Sequence, residues 1–181
     1  MRTPTNRRLQ PLLIVDGYNI LRSSGRYDIA GVDDFDDSPV NRARENLIAD
    51  VAAFAQGRYE AVIVFDGGGN EFSEGYPQRI AGINIIFSEA NTDADQLIEK
   101  LVVKAREAGR EVLVVSSDAQ LQNTVFRDGV TRMSALGFSR EMQDIGEDLD
   151  ESGENYSKFT VESRIDPDVR DQLRAMLKRK K

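Results

Sequence analysis

The 181-residue chain contains no cysteine and no histidine. Without cysteine it can form neither a disulfide nor a thiolate zinc site. Without histidine it cannot run Ser-His-Asp catalysis, histidine acid/base nuclease chemistry or the HExxH peptidase reaction, and most zinc hydrolases are excluded. Any catalytic metal must therefore be held by oxygen ligands, which selects Mg²⁺ or Mn²⁺. Long apolar runs are missing too, and no stretch approaches membrane-spanning length, so no membrane partner is expected. The first residues carry Arg2, Arg7 and Arg8 but no apolar segment resembling a signal peptide, so the expected location is cytoplasmic.

Apolar residues make up 40% of the chain, enough for one ordinary domain with a core, plus tails. The net charge of -7 argues against nucleic acid as a partner if it is spread evenly. It is not spread evenly. Much of the acid lies in two tracts, Asp33 to Asp37 and Glu141 to Glu154, while basic residues gather at both ends, the last being Arg174, Lys178, Arg179, Lys180 and Lys181.

Short apolar runs divide the chain. Leu12-Leu13-Ile14-Val15 leads into Asp16-Gly17-Tyr18-Asn19, and reads as a strand buried on both faces that ends in an acid. Ala61 to Phe65 ends in Asp66, followed by Gly67-Gly68-Gly69-Asn70. Ile83 to Phe87 leads through Ser88 toward a helix that starts near Asn91 or Thr92 and ends at Gly109. Val112 to Val115 ends in Ser116-Ser117-Asp118, with a short helix expected from there to Phe126. Val130 to Met133 reads as an edge strand, and Ser134 as the cap of a last core helix. Residues 22–38 read as a loop, after which Ser38-Pro39 marks a helix start, with Leu47, Ile48, Val51, Phe54 and Ala55 at helical spacing. Strands alternating with helices predict βαβ units and a parallel sheet.

The expected organisation is a basic arm over 1–10, an α/β domain over 11–144, an acidic linker over 145–160 and a basic amphipathic helix over 161–181. The linker is read from Glu147, Asp148, Asp150, Glu151 and Glu154, which have little apolar company. The helix is read from Val169, Leu173, Met176 and Leu177 on one face after Asp166-Pro167.

Asp16, Asp66 and Asp118 each fall at or just after a strand end, and Asp93 and Asp95 in the first turn of a helix. In a parallel sheet these ends share one edge, where open α/β sheets bind ligands. Carboxylates gathered there repel one another unless a divalent cation neutralises them, and such an ion can activate water and offset phosphoryl charge. Each acid also has a local reading. Asp16-Gly17 and Asp66-Gly67 suit turns, Thr92 with Asp95 approximates a capping box, and Asp118 suits an N-cap. The triple glycine lacks the Lys-Ser or Lys-Thr of a phosphate loop and reads as a flexible loop beside the site.

Five segments in order resemble the YacP-like NYN domain family over residues 12–136: Val15-Asp16-Gly17-Tyr18-Asn19, Val64-Phe65-Asp66, Thr92-Asp93-Ala94-Asp95 with Ile98-Glu99, Ser116-Ser117-Asp118 with Gln122, and Arg132-Met133-Ser134-Ala135. The resemblance implies a PIN-like three-layer α/β fold, with a central, mainly parallel sheet flanked by helices, and a C-terminal helix. It also implies an acidic site dependent on Mg²⁺ or Mn²⁺. One bacterial branch of that family is a ribosome-associated endoribonuclease that cuts mRNA during translation.

Carried onto this chain, the resemblance makes Asp16 and Asp95 the leading metal carboxylates and Asn19 their polar partner. Asp66 and Asp118 become further members of the acidic edge, Ser117 a ligand for phosphate or water, and Arg132 a structural or RNA-contacting residue. The chain departs from the family pattern where Asp93 precedes Ala94-Asp95, where Leu136-Gly137-Phe138 replaces a glutamate-leucine continuation, and where the acidic 145–154 stretch interrupts the basic C-terminal helix.

The expectation is thus a metal-dependent endoribonuclease acting on RNA, with translating ribosomes as a candidate setting. Arg22, Arg44 and Arg132 are its candidate phosphate contacts and Tyr18 its candidate stacking surface; each also reads as an ordinary surface or packing residue. The alternative is a module of the same fold that binds RNA or the ribosome without cutting. A small-molecule phosphatase is disfavoured because Asp16 is followed by Gly17 and Tyr18 rather than by an Asp-x-Asp pair.

Overall fold

A computed structural model describes residues 9–27, 29, 37–67, 78–89, 92–126 and 128–151. The basic arm over 1–8, most of the acidic tract before Asp37, the Gly68-Gly69-Asn70 segment and the helix expected over 161–181 lie outside the described residues.

The apolar runs form the strands β1 (Leu12–Asp16), β2 (Glu60–Phe65), β4 (Ile83–Phe87) and β5 (Val112–Val115). Two further strands, β3 (Gln78–Ile80) and β6 (Val130–Met133), lie at the edges. Together they make one six-stranded sheet in the order β3-β4-β2-β1-β5-β6. All neighbours pair in parallel except β3 with β4.

Strand β3 was not expected. It joins β4 through Ala81-Gly82, both with positive φ (51° and 81°), and Ile80 pairs with Ile83 across this two-residue turn. Such a turn ordinarily announces itself as Asn-Gly or Asp-Gly; alanine in the first place hides it.

Every residue of β1 is buried, which is why its sequence shows no alternation. Its odd residues Leu13 and Val15 pack under helices α1 (Gly17–Ser23), α2 (Asp37–Ala55) and α5 (Ala135–Glu151), with Ile20, Leu47, Val51 and Phe138. Its even residues Leu12 and Ile14 pack under α3 (Ala94–Glu107) and α4 (Ala119–Thr124), with Ile98, Val102 and Leu121. The architecture is the expected central, mostly parallel sheet between helical layers. Among the described residues, no helix is long and apolar enough to cross a membrane.

Two boundaries differ from expectation. Helix α1 starts at Gly17 and occupies residues read as a turn and the start of a loop; it is too short to show apolar periodicity. Helix α5 runs on to Glu151, into the stretch read as a linker. Glu and Leu are good helix formers, so acidic composition alone does not stop a helix already anchored by Ala135, Phe138 and Met142.

The chain order sets the site. From β1 the sheet grows one way through β2 and β4, then crosses back to add β5 and β6 on the other side. The switch point lies between β1 and β5, and open α/β sheets have their ligand crevice there, outside the carboxyl ends of the strands.

Candidate active site

Asp16 ends β1 at that crevice and is only 7% exposed. It is the N-cap of α1, accepting from the Asn19 N–H at 3.3 Å through Oδ1. Its Oδ2 accepts from the hydroxyl of Ser116, fully buried at the end of β5, at 2.9 Å. The same Ser116 oxygen accepts from the Asp118 N–H at 3.1 Å. Asn19 also spans the crevice, its Oδ1 accepting from the Ser117 N–H at 2.7 Å. These bonds tie the ends of β1 and β5 into one polar lattice under the carboxylates.

Asp118 is the N-cap of α4, accepting from the Leu121 N–H at 2.8 Å. At the start of α3 it is Asp93, not Thr92, that caps, accepting from the Gln96 N–H at 2.8 Å. The capping-box reading of Asp95 therefore does not hold. With capping done by its neighbour, Asp95 stands half-buried in the first turn, and α3 packs across β1, β2 and β5 so that this turn meets the crevice.

The acids also act on one another through their charges. Burial, then the charges of Asp16, Asp118, Asp93 and Glu99, push the Asp95 carboxyl up to about 6. Burial also raises Asp16, and Asp118 adds to it, while the bonds from Ser116 and Asn19 and the charge of Arg22 oppose the rise. Asp16 and Asp118 thus both act on Asp95, Asp118 acts on Asp16, and Arg22 is a cation that acts on Asp16.

Asp66 is placed differently. It is exposed at the end of β2, where Ser88 Oγ donates to its Oδ1 at 3.3 Å, and it is not among the charges acting most strongly on Asp16 or Asp95.

The other expected residues sort by what already holds them. Tyr18 is half-buried, its ring edge-on to Phe65 at 5.1 Å. Arg44 donates to the Tyr18 hydroxyl and to Asn41 Oδ1, and its guanidinium lies over the rings of Tyr18, Phe65 and Phe87. Its buried Nε has no acceptor among the described residues, so those ring faces are what stabilise that side of the cation. Arg132 donates to the Gln122 carbonyl at 3.1 Å and stacks on Phe126, bracing the end of α4. The Ser117 hydroxyl accepts from the Ala135 N–H at 2.9 Å, at the start of α5. Arg22 is exposed beside Tyr18.

Ser116 was missed by sequence reasoning, which favoured Ser117. The signal was strand parity: Ser116 continues the face of Val112 and Val114, the face Asp16 also shares. Gly17 carries a further constraint, because a Cβ there would lie 2.3 Å from the Phe65 ring.

Among the described residues, no three acids stand close enough to enclose an ion by themselves. A hard cation such as Mg²⁺ does not require that, since it keeps several waters and takes one or two carboxylates plus substrate phosphate oxygens. The donor set at the crevice, all oxygen and mutually repelling, fits such an ion.

Known proteins share the family and the fold. The YacP-like NYN domain family matches residues 13–178, reaching past the segments on which the resemblance was first seen. The chain is 27% identical over 137 residues to "Uncharacterized protein YacP" of Bacillus subtilis (strain 168), covering 74% of this chain and 76% of the relative. A crystal structure of Rae1 (YacP) from Bacillus subtilis superposes with a TM-score of 0.58 at 27% identity, covering 79% of each chain. A tryptophan-to-leucine variant of the same Bacillus protein gives 0.59 at 25% identity, covering 92% of this chain and 99% of that one.

Proposed function

The chain belongs to the YacP-like NYN domain family, and on that premise we propose that it is a divalent-metal-dependent endoribonuclease that hydrolyses phosphodiester bonds in RNA. The family's NYN/PIN-like fold supports a nuclease-type function. The observation that carries the finer reading is that Asp16, Asp95 and Asp118 lie at one edge near enough for their charges to act on one another, with Arg22 opposing at Asp16. A protein tolerates such repulsion where a cation relieves it in the working state.

Asp16 and Asp95 would hold Mg²⁺ or Mn²⁺, with Asp118 as the third acid of the site. The ion supplies a Lewis acid for water and for phosphoryl oxygens. The chain's own groups do the rest. Ser116 and the Asn19 N–H fix the Asp16 carboxylate in one orientation. Asn19 holds the two strand ends at a set separation through Ser117. Asp16, at 7% exposure, is recessed, which favours a flexible single strand over a stiff duplex. The proposed substrate is mRNA in the cytoplasm, on translating ribosomes.

The test is cleavage of end-labelled RNA with Mn²⁺ or Mg²⁺, with and without ribosomes engaged on a message, beside the Asp16→Asn/Asp95→Asn double variant. Metal-dependent cutting by the wild type, absent in the variant, is the expected result. RNA binding with no cutting in either setting would replace this reading with the non-catalytic module.

A further inference from the structure

A phosphodiester adds one more negative charge to an edge that already holds Asp16, Asp95 and Asp118, and a side-chain cation beside the proposed ion lowers the cost of bringing it there. Three arginines stand in segments that lead to this edge, and two are committed elsewhere. Arg44 is held by the Tyr18 hydroxyl, Asn41 and three aromatic rings. Arg132 braces the α4 carbonyl of Gln122 and covers Phe126.

Arg22 differs from both. It sits in the last turn of α1, exposed, and no hydrogen bond or ion pair to it is found among the described residues. Its guanidinium carbon rests 5.5 Å from the Tyr18 ring centroid, and its charge acts on Asp16. The ring beneath it is itself fixed, by the Arg44 bond to its hydroxyl and by edge contact with Phe65. An exposed guanidinium on a fixed aromatic rest keeps its hydrogen-bonding fork available and pays little to be oriented.

We propose that Arg22 is the side chain that takes a backbone phosphate of a single-stranded nucleic acid at this edge, with Tyr18 as its rest. The assignment deepens the nuclease reading and rests on it. Arginine suits the place because its fork pairs two phosphate oxygens at once. Arg44 becomes a positioning residue for the ring rather than a phosphate contact.

The experiment replaces single linkages of a short, fluorescein-labelled single-stranded RNA with neutral methylphosphonates, one position at a time. Binding is read by anisotropy in the Asp16→Asn/Asp95→Asn background, which removes cutting and lowers the repulsion. One neutral linkage is expected to weaken binding about tenfold, the scale of a hydrogen bond to a charged group. Adding Arg22→Gln should weaken the all-phosphate strand by about the same factor and abolish the further loss at that linkage. Arg22 is exposed, so this substitution leaves the core untouched. An RNA that the wild type cuts with Mn²⁺ but that shows no Arg22-dependent linkage overturns the assignment and leaves the nuclease reading standing. An RNA neither bound nor cut removes both.

Discussion

The two ends of the parallel sheet treat charge in opposite ways. At the amino ends of the strands, Arg110 donates to the Gln10 carbonyl at 2.9 Å and to Glu60 at 2.9 Å. Arg106 donates to the Arg110 carbonyl at 2.5 Å. These groups close on one another. At the carboxyl ends, Asp16, Asp95 and Asp118 face a shared crevice, and burial and neighbouring acids raise Asp16 and Asp95 rather than lower them. One end is arranged for stability, while the other keeps repulsion that is only partly offset, over a buried polar lattice. Counting acids does not separate the two ends; asking what partners each acid has does.

The largest expected effect is on the lattice. Ser116→Ala removes the hydroxyl shared by Asp16 and the Asp118 N–H. Groups that orient metal-binding carboxylates typically contribute about 10- to 100-fold in affinity or activity, so a Mn²⁺ titration of cutting should shift or drop by that factor. An unchanged titration would mean that Asp16 is oriented by something else. Next comes Gly17→Ala, which sets a methyl carbon 2.3 Å from the Phe65 ring. Overpacking of this kind costs about 1–3 kcal/mol, seen as a Tm lowered by roughly 2–12 °C. A melt indistinguishable from wild type would show that Phe65 can move aside.

Much of this was legible because the sheet is buried on both faces. Runs such as Leu12 to Val15 and Val112 to Val115 stand out, and the polar residues after them must fall at the strand ends. What was hidden depended on geometry that spacing does not carry. Asp66 follows its run as Asp16 does, yet it lies one strand further from the switch point and is exposed where Asp16 is buried. Ser116 and Ser117 are adjacent, and only strand parity decides which reaches Asp16. Strand β3 was masked by an alanine in its turn, and α1 by its shortness. Arg22, Arg44 and Arg132 look alike in sequence, and only their partners tell a brace from an available cation.

The two smaller predictions apply the same kind of substitution, acid to amide, at the two ends of the sheet. With metal removed, Asp95→Asn should raise the Tm near neutral pH. The rise from 3.8 to about 6 is discounted heavily because the side chain is half-exposed and the α3 dipole favours an acid there. About 1 kcal/mol, or roughly 2–4 °C, is then expected. Above about pH 6 the acid is charged in both folded and unfolded chains, so the wild type carries the whole penalty. Below 3.8 it is protonated in both, so the advantage of asparagine should fade as the pH falls through that interval. Added Mn²⁺ should reverse the order, stabilising the wild type alone.

Glu60→Gln at the other end should do the opposite and do less. Its side chain is 51% exposed, and Arg110 keeps the Gln10 carbonyl when the ion pair is lost. The expected cost is under about 0.5 kcal/mol, near neutral pH and at low salt. Opposite signs for the two substitutions would sharpen the contrast between a closed edge and a strained one. If both destabilised the chain, Asp95 would belong with the structural acids, and the crevice would lose its claim to a cation.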